Sequence, residues 1–323
     1  MENKWLVGVD IGGTTIKMAF LNQEGHLVAK WEIATNIKEN GQHIPKEIAQ
    51  SIDEKLVELN EVKDKLIGIG IGAPGPVDFA TGSIEVAVNL GWTDFPLKEL
   101  LEKESGLPVT VDNDANIAAL GEMWTGAGEG SNDLIFVTLG TGVGGGVISN
   151  GKIVHGMNGA GGEIGHITSI IEGGARCNCG KNGCLETIAS ATGIVRLAVE
   201  ELKRSNEASQ LRDYYNENNT VTAKLVLDAA KENDDVAKRV MEFVTLHLGL
   251  ALANLANGLN PEKIVIGGGV SKAGSTLLNP IKEQFSRFAF PKVLGAEITI
   301  ATLGNDAGVI GGAWLAKTKL GTK

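Results

Sequence analysis

The sequence is poor in what an exported or membrane-anchored protein needs. Three cysteines in 323 residues are an odd number that cannot all pair. Met1-Glu2-Asn3-Lys4-Trp5 enters a short apolar run broken by Asp10, without the form of an export signal. Disulfides are therefore not expected, and a reducing cytoplasm is the expected compartment. No stretch reads as long enough to span a bilayer. Basic residues are also scarce: 29 Lys and Arg against 39 Asp and Glu leave a net charge of −10. That balance argues against nucleic acid or an anionic membrane as partner, because both need a concentrated basic face. Two phosphate-binding signatures are missing as well. No Gly-x-x-x-x-Gly-Lys-Ser/Thr loop occurs, and no glycine turn has the strand-to-helix context of a dinucleotide fingerprint.

Glycine, by contrast, is plentiful: 44 residues mark many tight turns. The length exceeds what one core comfortably supports, so two domains are expected. The residues 5–10, 16–21 and 27–33 read as strands, the first two joined by Ile11-Gly12-Gly13-Thr14-Thr15. The pattern recurs at 134–148 around Gly140-Thr141-Gly142-Val-Gly144, which suggests an internal duplication. Between them, 44–59 has helical periodicity, 66–73 reads as a strand stopped by Pro74-Gly75-Pro76, and 97–104 as a short helix. Strand 109–111 ends at Asp112-Asn113-Asp114-Ala115-Asn116 before a helix over 117–124. Helices are expected over 188–203, 222–231 and 236–259, with an exposed polar tract at 205–219. Strand 263–266 leads into Gly267-Gly268-Gly269, and 298–301 leads towards a last helix. This alternation indicates an α/β fold. The boundary is placed near Ala115, dividing the chain into 1–115 and 116–323, with the last helix able to pack back on the first domain.

The segment 161–186 gathers all three cysteines and one of five histidines. Cys177, Cys179, Cys184 and His166 supply four ligands for a tetrahedral, structural zinc, with Gly180 and Gly183 free to turn tightly between them. The plainer reading is three small buried thiols. The polar residues and glycines around them make a poor apolar core, which favours zinc.

In the glycine hairpins, backbone amides can approach phosphate oxygens closely, and Thr14 and Thr141 add hydroxyls. Either hairpin alone can be a mere tight turn. Both together, with Gly267, Gly268 and Gly269 as a third close-approach loop, favour a nucleotide. Asp10 can hold Mg²⁺ on its phosphates, directly or through water, or simply cap its turn.

These residues carry a family resemblance. The stretches 10–17, 72–76, 113–116 and 140–144, Gly162-Glu-Ile-Gly-His166 and Cys177-x-Cys-Gly-x-x-Gly-Cys-x-Glu186 resemble the ROK-type bacterial glucokinases over essentially the whole chain. The resemblance implies a two-domain actin-like ATPase (ribonuclease H-like) fold with its active site in the inter-domain cleft. It implies one ATP site built from both hairpins and including Lys17. It implies Asp114 as catalytic base, and Asn89, Asn113, Glu163, His166 and Glu186 as ligands of the sugar hydroxyls. A homodimer or homotetramer is implied as well. The chemistry agrees, because a sugar hydroxyl is a weak nucleophile that needs a carboxylate to take its proton during in-line phosphoryl transfer. Otherwise Asp114 is a helix cap, and Glu163 and Glu186 are surface charges.

The expected activity is ATP-dependent phosphorylation of a hexose, foremost glucose at O6. Other sugar kinases of the family, acting on fructose, allose or N-acetylmannosamine, are the alternative. A sugar-responsive regulator is disfavoured by a first strand beginning at Trp5 and by the acidic charge. A chaperone-like ATPase would not need the metal segment. His26, His43, His155 and His247 read as surface or packing residues without comparable partners, and Trp92 as core.

Overall fold

A computed structural model describes residues 4–321. The first three residues, read above as part of an unsuitable export signal, lie outside the described residues. The chain opens on an antiparallel meander of β1 (Trp5–Ile11), β2 (Thr15–Leu21) and β3 (Leu27–Ala34). After α1 (Ile44–Glu58), β4 (Leu66–Ala73) joins parallel to β1. A small antiparallel sheet follows, made of β5 (Val77–Asp78), β6 (Ser83–Ala87) and β7 (Trp92–Phe95). Then α2 (Leu97–Ser105) leads to β8 (Val109–Asn113), parallel to β4. The first large sheet thus has the order β3-β2-β1-β4-β8. Near-continuous apolar runs in β1 and β4 fit strands covered on both faces.

Helix α3 (Asp114–Thr125) begins directly where β8 ends. The second half repeats the plan with the meander β9 (Leu134–Leu139), β10 (Val143–Ser149) and β11 (Lys152–Ile153). Five helices follow: α4 (Glu186–Ala189), α5 (Ala191–Arg204), α6 (Gln210–Asn218), α7 (Ala223–Lys231) and α8 (Asp235–Leu259). Next come β12 (Lys263–Gly267), α9 (Ser275–Phe288), β13 (Glu297–Ile300) and α10 (Ala307–Leu320). The second sheet runs β11-β10-β9-β12-β13, the same plan of three antiparallel and two parallel strands.

Helix α10 packs on β1, β4 and α3, so the end of the chain completes the first half. Glycine makes this possible. A Cβ on Gly8 would lie 1.8 Å from the Val309 carbonyl oxygen, and one on Gly70 1.8 Å from that of Gly312. The helix therefore lies backbone against backbone on the sheet.

The structure departs from the sequence reading in several places. Helix α3 starts at Asp114 and not at 117, because Asn113 is the residue that caps it. The expected 188–203 helix is two helices broken at Ser190, whose hydroxyl accepts from Gly193 N–H and starts α5. The tract 205–219 contains α6, and α9 and the three-stranded sheet were not anticipated. By length and composition α8 is apolar enough to cross a membrane, contrary to expectation. It packs against α4, α5, α7 and α9, and 56% of its most apolar window is buried, the environment of a core helix.

Candidate active site

The site is built around the junction of β8 and α3. Asn113 Oδ1 accepts from Ala115 N–H at 2.9 Å, and its Nδ2 donates to the Gly75 carbonyl at 3.2 Å. This caps α3 and ties it to the turn after β4. Asp114, the first helical residue, then faces two cavities, one of about 640 Å³ and one of about 200 Å³. Burial raises its carboxyl to about 6; repulsion from Asp10 adds to this, and the Ala115 amide works against it.

The larger cavity is lined by Asp10, Lys17, Gly140, Gly142, Gly144, Glu186 and Gly267 to Gly269. Asp10 stands directly opposite Lys17 on the β1–β2 ladder. Its carboxyl is raised by burial, with Lys17 opposing. Glu186 Oε2 accepts from Val143 N–H at 3.0 Å, so a carboxylate rests on an amide of the second glycine hairpin. Gly12, Gly13, Thr14 and Thr141 lie outside this lining, and both threonines are exposed.

One residue of this wall, Glu122, went unnoticed in the sequence. Although fully buried, it accepts from the amides of Thr302 (3.2 Å), Leu303 (2.9 Å) and Ala127 (2.8 Å). It thereby pins the segment before α10 that closes the cavity. A glutamate inside the apolar stretch 117–123 was the available signal.

The smaller cavity is lined by Gly75, Pro76, Asn113, Asp114, Gly162 and Glu163, among others. Asn89, His166 and Glu186 do not line it. Asn89 is exposed in the 88–90 turn beside Gly13. His166 adjoins through Glu163, with Nε2 at 3.7 Å from Oε2. Glu186 faces the larger cavity instead.

His166, Cys177, Cys179 and Cys184 converge, with their ligand atoms all within 4.8 Å of one another. Cys177 Sγ lies 3.6 Å from His166 Nδ1, and Cys179 Sγ 3.6 Å from Cys184 Sγ. Donors at the corners of a zinc tetrahedron stand about 3.5 to 3.8 Å apart, so the cluster fits the ion. The turn depends on Gly183, where φ is +72° and a Cβ would meet the Ile170 carbonyl oxygen at 1.9 Å. Burial pushes the Cys177 thiol up to about 12 and raises Cys184, while the Lys181 amide lowers Cys179. A bound cation is what would keep three such sulfurs ionised together.

The other histidines make hydrogen bonds outside any metal-type cluster; His26 and His43 are surface residues as expected, while His155 pairs with a buried carboxylate that the sequence did not reveal. His155 Nε2 lies 2.8 Å from Asp112 Oδ2, and His247 Nδ1 2.8 Å from Ser169 Oγ. His43 meets Glu39 at 3.0 Å and His26 meets Asn22 at 3.3 Å.

Two five-stranded sheets of one plan, with residues of both lining the larger cavity, are the architecture of the actin-like ATPase fold. The comparisons sharpen this class. A sequence model of the ROK family matches residues 6–319, and the chain belongs to that family. It is 60% identical over 318 residues to a glucokinase of Halalkalibacterium halodurans, covering 98% of this chain and 96% of that one. A ROK family glucokinase from Streptomyces griseus, solved with glucose and AMPPNP, superposes with a TM-score of 0.76 at 34% identity, over 97% and 99% of the two chains. A ROK hexokinase from Thermus thermophilus gives 0.82 at 30% identity, over 99% and 100%.

Proposed function

We infer that this chain is an ATP-dependent glucokinase, converting glucose and ATP to glucose 6-phosphate and ADP. One geometric observation carries the catalytic reading: among the described residues, Asp114 is the carboxylate that borders both cavities. The larger suits a nucleoside triphosphate and the smaller a single sugar ring. The 60% identity to a glucokinase and the glucose-bound relative favour glucose as that sugar.

In this reading Asn113 and Glu163, which line the smaller cavity, hold sugar hydroxyls; Asn89, His166 and Glu186 lie outside that lining and would join them only as the cleft closes on the sugar. Such amides and carboxylates pair with vicinal hydroxyls and are left unpaired by a wrong sugar. Asp114 takes the O6 proton as O6 attacks the terminal phosphorus in line; the bond to the bridging oxygen breaks and ADP leaves. The nucleotide lies along Asp10 and Lys17 on one side and Gly142, Gly144 and Gly267 to Gly269 on the other, with Gly12, Gly13, Thr14 and Thr141, outside the lining, at the hairpin tips beside it. Asp10 would hold the Mg²⁺ that accompanies ATP, which supplies positive charge against the phosphates. His166 and the three cysteines would hold a zinc that orders the sugar side without entering the chemistry.

Two domains, 1–115 and 116–323 with α10 returned to the first, form the two sides of the cleft. A cytoplasmic homodimer or homotetramer is the expected state. The deciding experiment measures ADP release over a panel of hexoses and N-acetylhexosamines. Glucose should give the highest kcat/KM; a higher value for fructose, allose or N-acetylmannosamine would reassign the substrate within the family.

A further inference from the structure

We propose that His155 is a positioning residue that sets the distance between the sugar-gripping loop and the base, acting through the buried carboxylate of Asp112. The proposal rests on the reading of Asp114 and the smaller cavity given above.

Asp112 is 1% exposed and lies two residues before Asp114. Its Oδ1 accepts from the Asn113 amide and from Asn116 Nδ2, each at 2.8 Å. Asn116 is itself buried, and its own Oδ1 has no hydrogen-bond partner among the described residues. Asp112 is therefore what fixes the Asn116 amide, and with it the turn that aims Asn113 and Asp114. The remaining oxygen, Oδ2, takes its hydrogen bond from His155 Nε2. Without that donor, one face of a buried carboxylate would be left unsatisfied.

His155 belongs to the other half of the molecule. It follows β11 and begins the loop that delivers Glu163 and His166. That loop closes on its own backbone, with Gly161 N–H donating to the His155 carbonyl at 2.8 Å. The imidazole also packs on Phe79, from the turn between β5 and β6, with ring centroids 3.8 Å apart. One side chain thus joins the strand end bearing the base, the loop bearing the sugar ligands, and the small sheet. Glu163 and Asp114 border the same smaller cavity.

A displacement of about 1 Å in such a site can cost about 10²-fold in rate. For the zinc-loaded enzyme with glucose and ATP, H155A should therefore lower kcat/KM for glucose by about 10- to 100-fold, leaving the KM for ATP within about twofold. H155Q places an amide donor towards Asp112 and should recover most of the loss. Glucose affinity measured without turnover should fall in H155A and return in H155Q. That measurement does not require Asp114 to be the base: normal turnover in D114N would remove the base assignment while leaving the effect of His155 on sugar binding standing. Wild-type glucose kinetics in H155A would overturn the proposal. So would equal defects in H155A and H155Q accompanied by equal losses in Tm, the pattern of a packing residue. Should H155A not fold, H155N, whose amide is too short to reach, takes its place under the same criteria.

Discussion

His166 turns Nε2 towards Glu163 Oε2, 3.7 Å away, while its Nδ1 looks at Cys177 Sγ across 3.6 Å. A metal at Nδ1 would fix the tautomer and leave a hydrogen on Nε2, which faces Glu163. In the proposed reading, metal and sugar would therefore depend on the same ring.

From this follows one zinc per chain, measured by metal analysis of protein purified without chelators. C179S should lower the Tm and also weaken glucose binding by about 10- to 100-fold. Protein free of zinc with full glucose affinity would remove the link.

D114N should lose about 10² to 10⁴-fold in turnover, because the amide keeps the shape but takes no proton. Glucose affinity should change far less. The helix should be intact, since the capping side chain is Asn113 and not Asp114. Stopped turnover with sugar binding and Tm preserved identifies the base; normal turnover rejects it.

The carboxyl of Asp114, raised to about 6, sets a pH dependence. The base must be ionised, so kcat/KM for glucose should fall as pH drops through about 6. Stability has the opposite sign. Folding raises this acid from the ordinary carboxylate range to about 6, so the folded state binds the extra proton and the contribution is lost as pH rises through about 6. The stability profile of D114N should be flatter over that window than that of the wild type. Identical profiles by thermal melts between pH 4 and 7 would contradict the buried setting of the carboxyl.

G70A should be poorly soluble or melt well below the wild type. The added methyl would stand 1.8 Å from the Gly312 carbonyl oxygen, and backbone cannot step aside as a side chain can. A melting temperature within a degree of the wild type would refute the close packing of α10.

The two glycine hairpins, their strand partners and the zinc cluster were legible because each rests on local chemistry. A strand's period, a turn's glycines and a ligand's sulfur are all written within a few residues. What was not legible depends on distant partners. Nothing beside His155 in sequence names Asp112, and nothing near Glu122 names the Thr302 and Leu303 amides. Helix α9 escaped notice because Pro280 lies inside it, and α6 because its exposed face is almost wholly polar. The family resemblance brought Glu186 forward as a sugar ligand, but its place on the Val143 amide needed the fold.

The docking of α10 also has a consequence for the order in which the protein matures. The sheet that starts the chain has one face covered by a helix that ends it, held backbone to backbone at Gly8 and Gly70. On the ribosome, β1 and β4 emerge long before residues 307–320. Until those residues leave the exit tunnel, that apolar face is open to other chains and to chaperones. The first half is thus translated early but covered only once residues 307–320 are made, and a chain cut before residue 307 should expose that apolar face and aggregate.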